Sequence, residues 1–261
     1  MGLVEIAEHI DAVRLQGALL ADAAGRAGLD AAVPPCPAWR VKDLLRHTGY
    51  VHRWAARHIA EGPEEVIDGP PEAEILRAGV ADPELLNWFR AGHAALVETL
   101  ATADPAVTCA TFMAAPSPLA FWARRQAHET AIHRADAESA SGLLPDYAPD
   151  FAADGIDELI TGFGRRRKYQ PGTVAEGGRL HVVAGDTGDA WSIEAREGRL
   201  HPRRDTGRDA AWDAACTVCG PASGVYLYLW NRADATRGDV TVTGDPALLA
   251  AWQAAVRVRW E

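Results

Sequence analysis

The hydrophobic period of this chain changes partway along, and that change restricts the fold more than any other feature. From Leu3 to Gly25, apolar residues fall at Val4, Ile6, Ala7, Ile10, Val13, Leu15, Leu19 and Leu20, close to the repeat of a one-sided helix. The same repeat predicts helices from Trp39 to His58, Glu72 to Gly79, Pro83 to Ala103 and Leu119 to Ala140. Between them lie stretches that cannot continue a helix, such as Val33-Pro34-Pro35-Cys36-Pro37, Gly69-Pro70-Pro71 and the segment holding Pro105, Pro116 and Pro118. One further helix is expected from Asp146 to Phe163. Beyond it the period falls to two, and Arg179–Ala184, Ala190–Glu197, Ala215–Val218 and Asp239–Thr243 read as short strands. Gly185-Asp186-Thr187-Gly188 reads as the turn of a hairpin, and helices are expected over Ala222–Arg232 and Pro246–Val256. A helical bundle followed by a smaller α+β domain accounts for this order. The boundary falls near Ser141–Pro149, giving residues 1–142 to the bundle and 147–261 to the α+β domain.

Composition narrows the function classes. The formal net charge of −10 disfavours a general nucleic-acid binder, which needs a basic surface. No run approaches the ~20 apolar residues of a membrane span. Met1–Ile10 carries Glu5 and Glu8 with no basic flank, so it does not read as a signal peptide. Four cysteines are too few for a disulfide scaffold, and a reducing, cytoplasmic location is expected. No phosphate-binding loop, dinucleotide fingerprint or serine-nucleophile elbow is present.

The chemistry concentrates in Arg125-Gln126-Ala127-His128-Glu129-Thr130-Ala131-Ile132-His133-Arg134-Ala135-Asp136. On a helix Glu129 and His133 project from one face a turn apart, where a carboxylate oxygen and an imidazole nitrogen can share a metal. Asp136, three residues on, can orient that imidazole through its other nitrogen. The pattern is not H-E-x-x-H: His128 and His133 are five apart and diverge on the helix. A third ligand could come from the second helix, which offers His47, His52 and His58. His47 stands three residues from Leu44 on the apolar side and points into the bundle, where an imidazole needs a partner. A lone buried histidine more often bonds a backbone carbonyl. Two histidines and one glutamate would instead leave a coordination position open, as catalytic zinc sites do.

Two motifs carry a family resemblance. Cys36-Pro37-Ala38-Trp39-Arg40-Val41-Lys42-Asp43-Leu44-Leu45-Arg46-His47 resembles the opening of the mycothiol-dependent maleylpyruvate isomerase family, and Phe121–Asp136 is similar to its fourth-helix signature. The resemblance implies a DinB-like four-helix bundle that holds a divalent metal, usually zinc, through a second-helix histidine and a Glu-x-x-x-His pair; by position these are His47, Glu129 and His133. It also implies a C-terminal domain similar to sterol carrier proteins, whose pattern is matched by Ala215–Trp230 and Val240–Pro246. It implies mycothiol as thiol cosubstrate and a small-molecule electrophile as its target. Isomerisation follows if a thiolate adds reversibly to an activated double bond, and S-transfer follows if the adduct is released. Arg77 lies where the family carries a functional arginine; Arg90, Arg124 and Arg125 are further candidates for pairing with carboxylates.

Other features have plainer expectations. Cys216 and Cys219 sit on a predicted strand at a spacing that sends their thiols to opposite faces. Arg165-Arg166-Arg167-Lys168 reads as a solvated helix end. A competing function, non-catalytic binding of a small molecule or lipid, would need a C-terminal cavity lined by Trp191, Tyr226 and Trp230.

Overall fold

The structure is a computed structural model, and it describes residues 5–70, 72–77, 80–166, 174–205 and 213–256. The chain divides into a helical unit that ends at Pro145 and a mixed unit that begins at Asp146.

The helical unit is built on α1 (Ile6–Ala27), α2 (Val41–Glu61), α4 (Asp82–Thr102) and α5 (Pro118–Ser139), with the short α3 (Glu72–Arg77) between α2 and α4. α1 buries His9, Val13, Gln16, Gly17, Leu20, Ala21 and Ala24, a stripe at helical spacing. It packs on α4 and α5, while α2 packs on the same two helices. Leu20, Ala24, Val41, Leu44, Leu45, Leu85 and Phe89 share one core, into which the Pro-rich loop inserts Val33. α2 stops at Gly62, whose φ of 62° is the left-handed conformation glycine adopts at low cost. α5 starts at Ser117, whose hydroxyl accepts from Ala120 N at 3.1 Å, with Pro118 at the first helical position. Its buried residues include Arg125, Gln126, His128, Thr130, His133 and Asp136, so polar groups in its interior must find partners.

The mixed unit opens with α6 (Pro149–Asp157), which passes into one wide π-type turn at Glu158–Gly162 and a tight turn at Phe163–Arg165. The helix predicted to run unbroken to Phe163 is thus irregular over its last two turns. Among the described residues five strands follow: β1 (Arg179–Ala184), β2 (Asp189–Arg196), β3 (Arg199–Arg204), β4 (Cys216–Gly220) and β5 (Thr241–Gly244), ordered β3-β2-β1-β4-β5. Of these, β1 and β4 run parallel and the other neighbours antiparallel. The hairpin around Gly185–Gly188 joins β1 to β2. Periodicity gave no sign of β3, an edge strand whose sequence Arg-Leu-His-Pro-Arg-Arg has no clean alternation. An edge tolerates Pro202 because one side of the strand has no ladder to complete. Glu197 and Gly198, both at positive φ, form the two-residue turn that leads into it.

One face of the sheet, including Leu180, Val182, Trp191, Ile193 and Val218, is buried in the core. α7 (Ala222–Leu229) and α8 (Pro246–Ala255) complete the unit and bury Tyr226 and Trp252. Trp191, Tyr226 and Trp230 are buried residues of this core. Trp191 Nε1 donates to Asp157 Oδ1 at 2.9 Å, and Trp230 meets Phe163 edge-on with ring centres 5.9 Å apart. Arg165 donates to Pro202 O at 3.0 Å, while Arg167 and Lys168 of the basic cluster lie outside the described residues. Among the described residues no helix is long and apolar enough to cross a membrane.

Candidate metal centre

Twenty-two residues of unbroken helix in α5 stack Arg125, Glu129, His133 and Asp136 along one face. α2 faces them with His47, which is 3% exposed and follows the core residues Leu44 and Leu45. His47 Nε2 lies 3.5 Å from Glu129 Oε1, and His133 Nε2 lies 3.1 Å from the same oxygen. The three ligand atoms all fall within 4.8 Å of one another. Two of the remaining edges of the group are tied down. Asp136, fully buried, places Oδ2 2.8 Å from His133 Nδ1, and Arg125 Nη2 donates to Glu129 Oε2 at 3.0 Å.

The loop before α2 adds a cover. Trp39 N donates to Cys36 O at 2.7 Å and Val33 N to Trp39 O at 3.1 Å, so the Pro-rich segment turns back on itself. That turn sets the Trp39 indole against both imidazoles, with centres 4.9 Å from His47 and 6.0 Å from His133.

The electrostatics follow from this geometry. An ionised Asp136 can only accept, so His133 Nδ1 carries a proton. In a neutral ring Nε2 would then offer a lone pair to a carboxylate oxygen 3.1 Å away, and two acceptors so close repel unless a cation lies between them. Burial pushes the His133 pKa down, but the hydrogen bonds with Asp136 and Glu129 outweigh it and raise it to about 9. A proton thus fills the gap in the metal-free protein. Burial would raise the Glu129 carboxyl, yet its bonds with His133 and His47 hold it well below the usual carboxylate range. His47 is lowered, chiefly by burial, which favours the neutral ring that a metal requires.

The donor set suits a divalent ion of the zinc class. Two donors at about 2.0–2.2 Å from a tetrahedral ion lie about 3.3–3.6 Å apart. The Nε2–Oε1 separation of 3.5 Å falls in that range and that of 3.1 Å just below it.

The other histidines of α2 are occupied elsewhere. His58 Nδ1 donates to Trp54 O at 2.8 Å, and its Nε2 accepts from Ile67 N at 2.9 Å. Together with Trp54 Nε1, which donates to Ile67 O at 2.7 Å, it pins the loop after α2. His52 Nε2 pairs with Thr130 Oγ1 at 3.0 Å, one residue from Glu129 on α5. Arg90 makes an exposed ion pair with Asp22 at 3.6 Å, on α1. Arg77 closes α3, and its side chain lies outside the described residues. Cys216 and Cys219 are free thiols, the first buried and the second only partly so, consistent with opposite strand faces. The sequence alone gives no role to Trp39, and it offers Arg125 as one of four arginines able to pair with carboxylates, surface solvation being the commoner role for each. The four-residue step from Arg125 to Glu129 was the available signal for its true neighbour, whereas the position of Trp39 depends on a loop turn that periodicity does not encode.

Residues 10–138 match the family model of the mycothiol maleylpyruvate isomerase N-terminal domain, and residues 150–251 match that of the corresponding C-terminal domain. Among solved structures the chain is similar to the crystal structure titled mycothiol-dependent maleylpyruvate isomerase, with a TM-score of 0.63, and to a histidine-to-alanine mutant under the same title, at 0.64. Each is 14% identical to this chain, and each alignment covers 93% of this chain and 96% of the other. No curated protein matches in sequence.

Proposed function

We propose, from the premise that the chain belongs to the mycothiol-dependent maleylpyruvate isomerase family, that it is a metal-dependent enzyme acting on a small electrophile with a low-molecular-weight thiol, mycothiol, in the cytoplasm. The reaction class is cis–trans isomerisation of an activated double bond, or S-transfer where the adduct leaves intact. The observation that carries this reading is the convergence of His47 Nε2 and His133 Nε2 on one oxygen of Glu129.

In this reading His47, Glu129 and His133 hold a divalent ion, with zinc the expected metal. When bound, the ion supplies positive charge that favours thiolate over thiol at neutral pH. The protein's own groups prepare for it. Asp136 keeps the His133 proton on Nδ1 and so presents Nε2 as a lone pair. Burial keeps His47 neutral, and Glu129 is ionised. Trp39 lies against the two imidazoles. For isomerisation, the thiolate sulfur adds to one carbon of the double bond and the electron pair moves onto the conjugated carbonyl. The resulting single bond rotates, the pair returns, and the sulfur leaves as thiolate, so the thiol is regenerated. In S-transfer the adduct takes a proton and the thiol is consumed.

Elemental analysis of purified wild type, His47→Ala and Glu129→Ala tests the centre. Near-stoichiometric divalent metal in the wild type and its loss in both variants is the expected result; a wild type without metal at that level removes the reading. Incubation with mycothiol and a cis-configured unsaturated diacid, followed by NMR, separates the reaction classes by whether thiol is recovered or consumed.

A further inference from the structure

Glu129 has two oxygens, and the fold gives them different work. Oε1 faces His133 Nε2 at 3.1 Å and His47 Nε2 at 3.5 Å. Oε2 accepts from Arg125 Nη2 at 3.0 Å. Arg125 stands one helical turn before Glu129, and its side chain is only 4% exposed. A carboxylate near a cation can bind through one oxygen or both, and the outcome depends on what else claims the second oxygen. A buried guanidinium is a strong claimant, because its hydrogen bond to a carboxylate is charge-assisted and its charge is permanent.

We propose that Arg125 is a positioning residue that restricts Glu129 to one-oxygen ligation. The inference rests on the metal reading of His47, Glu129 and His133 and adds to it a determinant of coordination number. With Oε2 held by Arg125, Glu129 contributes a single donor, and with the two imidazoles it makes a three-donor set. The next coordination position is then left for an exogenous donor. Without Arg125, Oε2 is free to swing toward the ion and occupy the position a thiol would take. The guanidinium also fixes the Glu129 side-chain torsions in advance, so less ordering remains when the ion arrives. The partner of Arg125 is thus a ligand of the centre, and no contact of Arg125 with substrate is needed for its effect.

The test uses full-length protein loaded with Co2+, whose visible absorption reports coordination number, and Zn2+ competition against a chromophoric chelator. The variants are Arg125→Met, which removes the guanidinium at similar bulk, and Arg125→Lys, which keeps a charge without the planar donor pair. For Arg125→Met the expected results are Zn2+ affinity weaker by about 10- to 100-fold and a changed Co2+ absorption spectrum as the second glutamate oxygen replaces the exogenous donor. Arg125→Lys should fall between it and the wild type. X-ray absorption of zinc-loaded wild type needs no variant and should report one glutamate oxygen in the inner sphere. Two glutamate oxygens in the wild type, or an Arg125→Met protein with unchanged affinity and spectrum, would overturn the proposal while the metal reading stands. Absence of metal binding by the wild type would overturn both.

Discussion

The two units of this chain each place histidine beside carboxylate, and they do so to different ends. In the sheet, His181 on β1 lies directly across from Ser192 on β2, which lies across from Arg203 on β3. Asp205 gathers them: Ser192 Oγ donates to Oδ2 at 2.7 Å, His181 Nε2 lies 3.3 Å from the same oxygen, and Arg203 Nη1 lies 3.4 Å from Oδ1. A hydroxyl, one imidazole and one guanidinium face that carboxylate. In the bundle, two imidazole nitrogens converge on one carboxylate oxygen, and the place between them is taken by a proton on His133 or by a metal ion. Residue types do not separate the two clusters. What separates them is that two imidazole nitrogens converge on one oxygen in the bundle and one imidazole meets the carboxylate in the sheet.

The largest effect expected from this contrast is a double dissociation. Glu129→Gln should weaken Zn2+ retention by at least about 100-fold, more than the loss of an outer partner costs, because a neutral amide replaces the anion between two imidazoles. Asp205→Asn should leave Zn2+ stoichiometry and affinity unchanged while costing about 1–3 kcal/mol of stability in urea titrations, since it deprives the buried Ser192 hydroxyl of a charged acceptor. If Asp205→Asn instead strips the metal, the sheet cluster is coupled to the centre and the contrast fails.

A smaller effect belongs to Asp136. It is fully buried, and His133 Nδ1 at 2.8 Å explains its position. Asp136→Asn keeps the shape but offers an amide that can present N–H instead of oxygen to the ring. Zn2+ affinity should fall about 10- to 100-fold, as for other partners of ligating histidines. An unchanged affinity would mean that helix packing alone orients His133.

How much of this was legible beforehand differs between the same two regions. In the bundle, helical period placed α5 within a residue or so at each end, and the steps from Glu129 to His133 and Asp136 then followed from helix geometry alone. His47 required one more inference, that a histidine beside Leu44 points inward. The partners of His58 could not be read, because Ile67 reaches it through a loop whose course is set by tertiary contacts. In the sheet, β1 and β2 alternate and were found, while β3 carries Pro202 and four basic or imidazole side chains among its six residues and shows no period. The hub of the polar cluster, Asp205, follows that strand, so a missed edge strand concealed the cluster as well.

Acid exposes the helical region next. His52, His58 and His93 all titrate below the ordinary histidine range, in each case chiefly because burial disfavours the charged ring. His52 is held against Thr130 and near Phe89, His58 between Trp54 O and Ile67 N, and His93 against Val13 O. Between their folded pKa values and about 6.5 the unfolded chain binds more protons than the folded one, so stability decreases as pH decreases. His133, raised to about 9, is already protonated in the fold in that window while the unfolded ring is still completing its protonation, so it adds a smaller slope of the opposite sign. Urea unfolding of metal-free protein at pH 6.5 and 5.5 should differ by on the order of 1–2 kcal/mol, the higher pH being the more stable. His47 contributes with the same sign. No change over that unit would mean that the buried rings are protonated in the fold.

The smallest effect concerns the chain's own sulfur. If the reactive thiol arrives with the cosubstrate, replacing a cysteine of the protein should not touch the chemistry. Cys219 is the informative choice. It sits on β4 opposite Val183 and Thr241 and is only partly buried, whereas Cys216 faces the core and is fully buried. Cys219→Ser exchanges sulfur for oxygen at a half-open position, which should shift stability by no more than about 0.5 kcal/mol. Zn2+ affinity and thiol turnover should match the wild type. Cys216→Ser buries a hydroxyl among apolar neighbours and should cost about 1–3 kcal/mol, again without moving the metal. A Cys219→Ser protein that binds zinc normally but loses thiol turnover would make a strand of the sheet unit part of the reaction. The division of labour between the convergent imidazoles of the bundle and the carboxylate cluster of the sheet would then have to be redrawn.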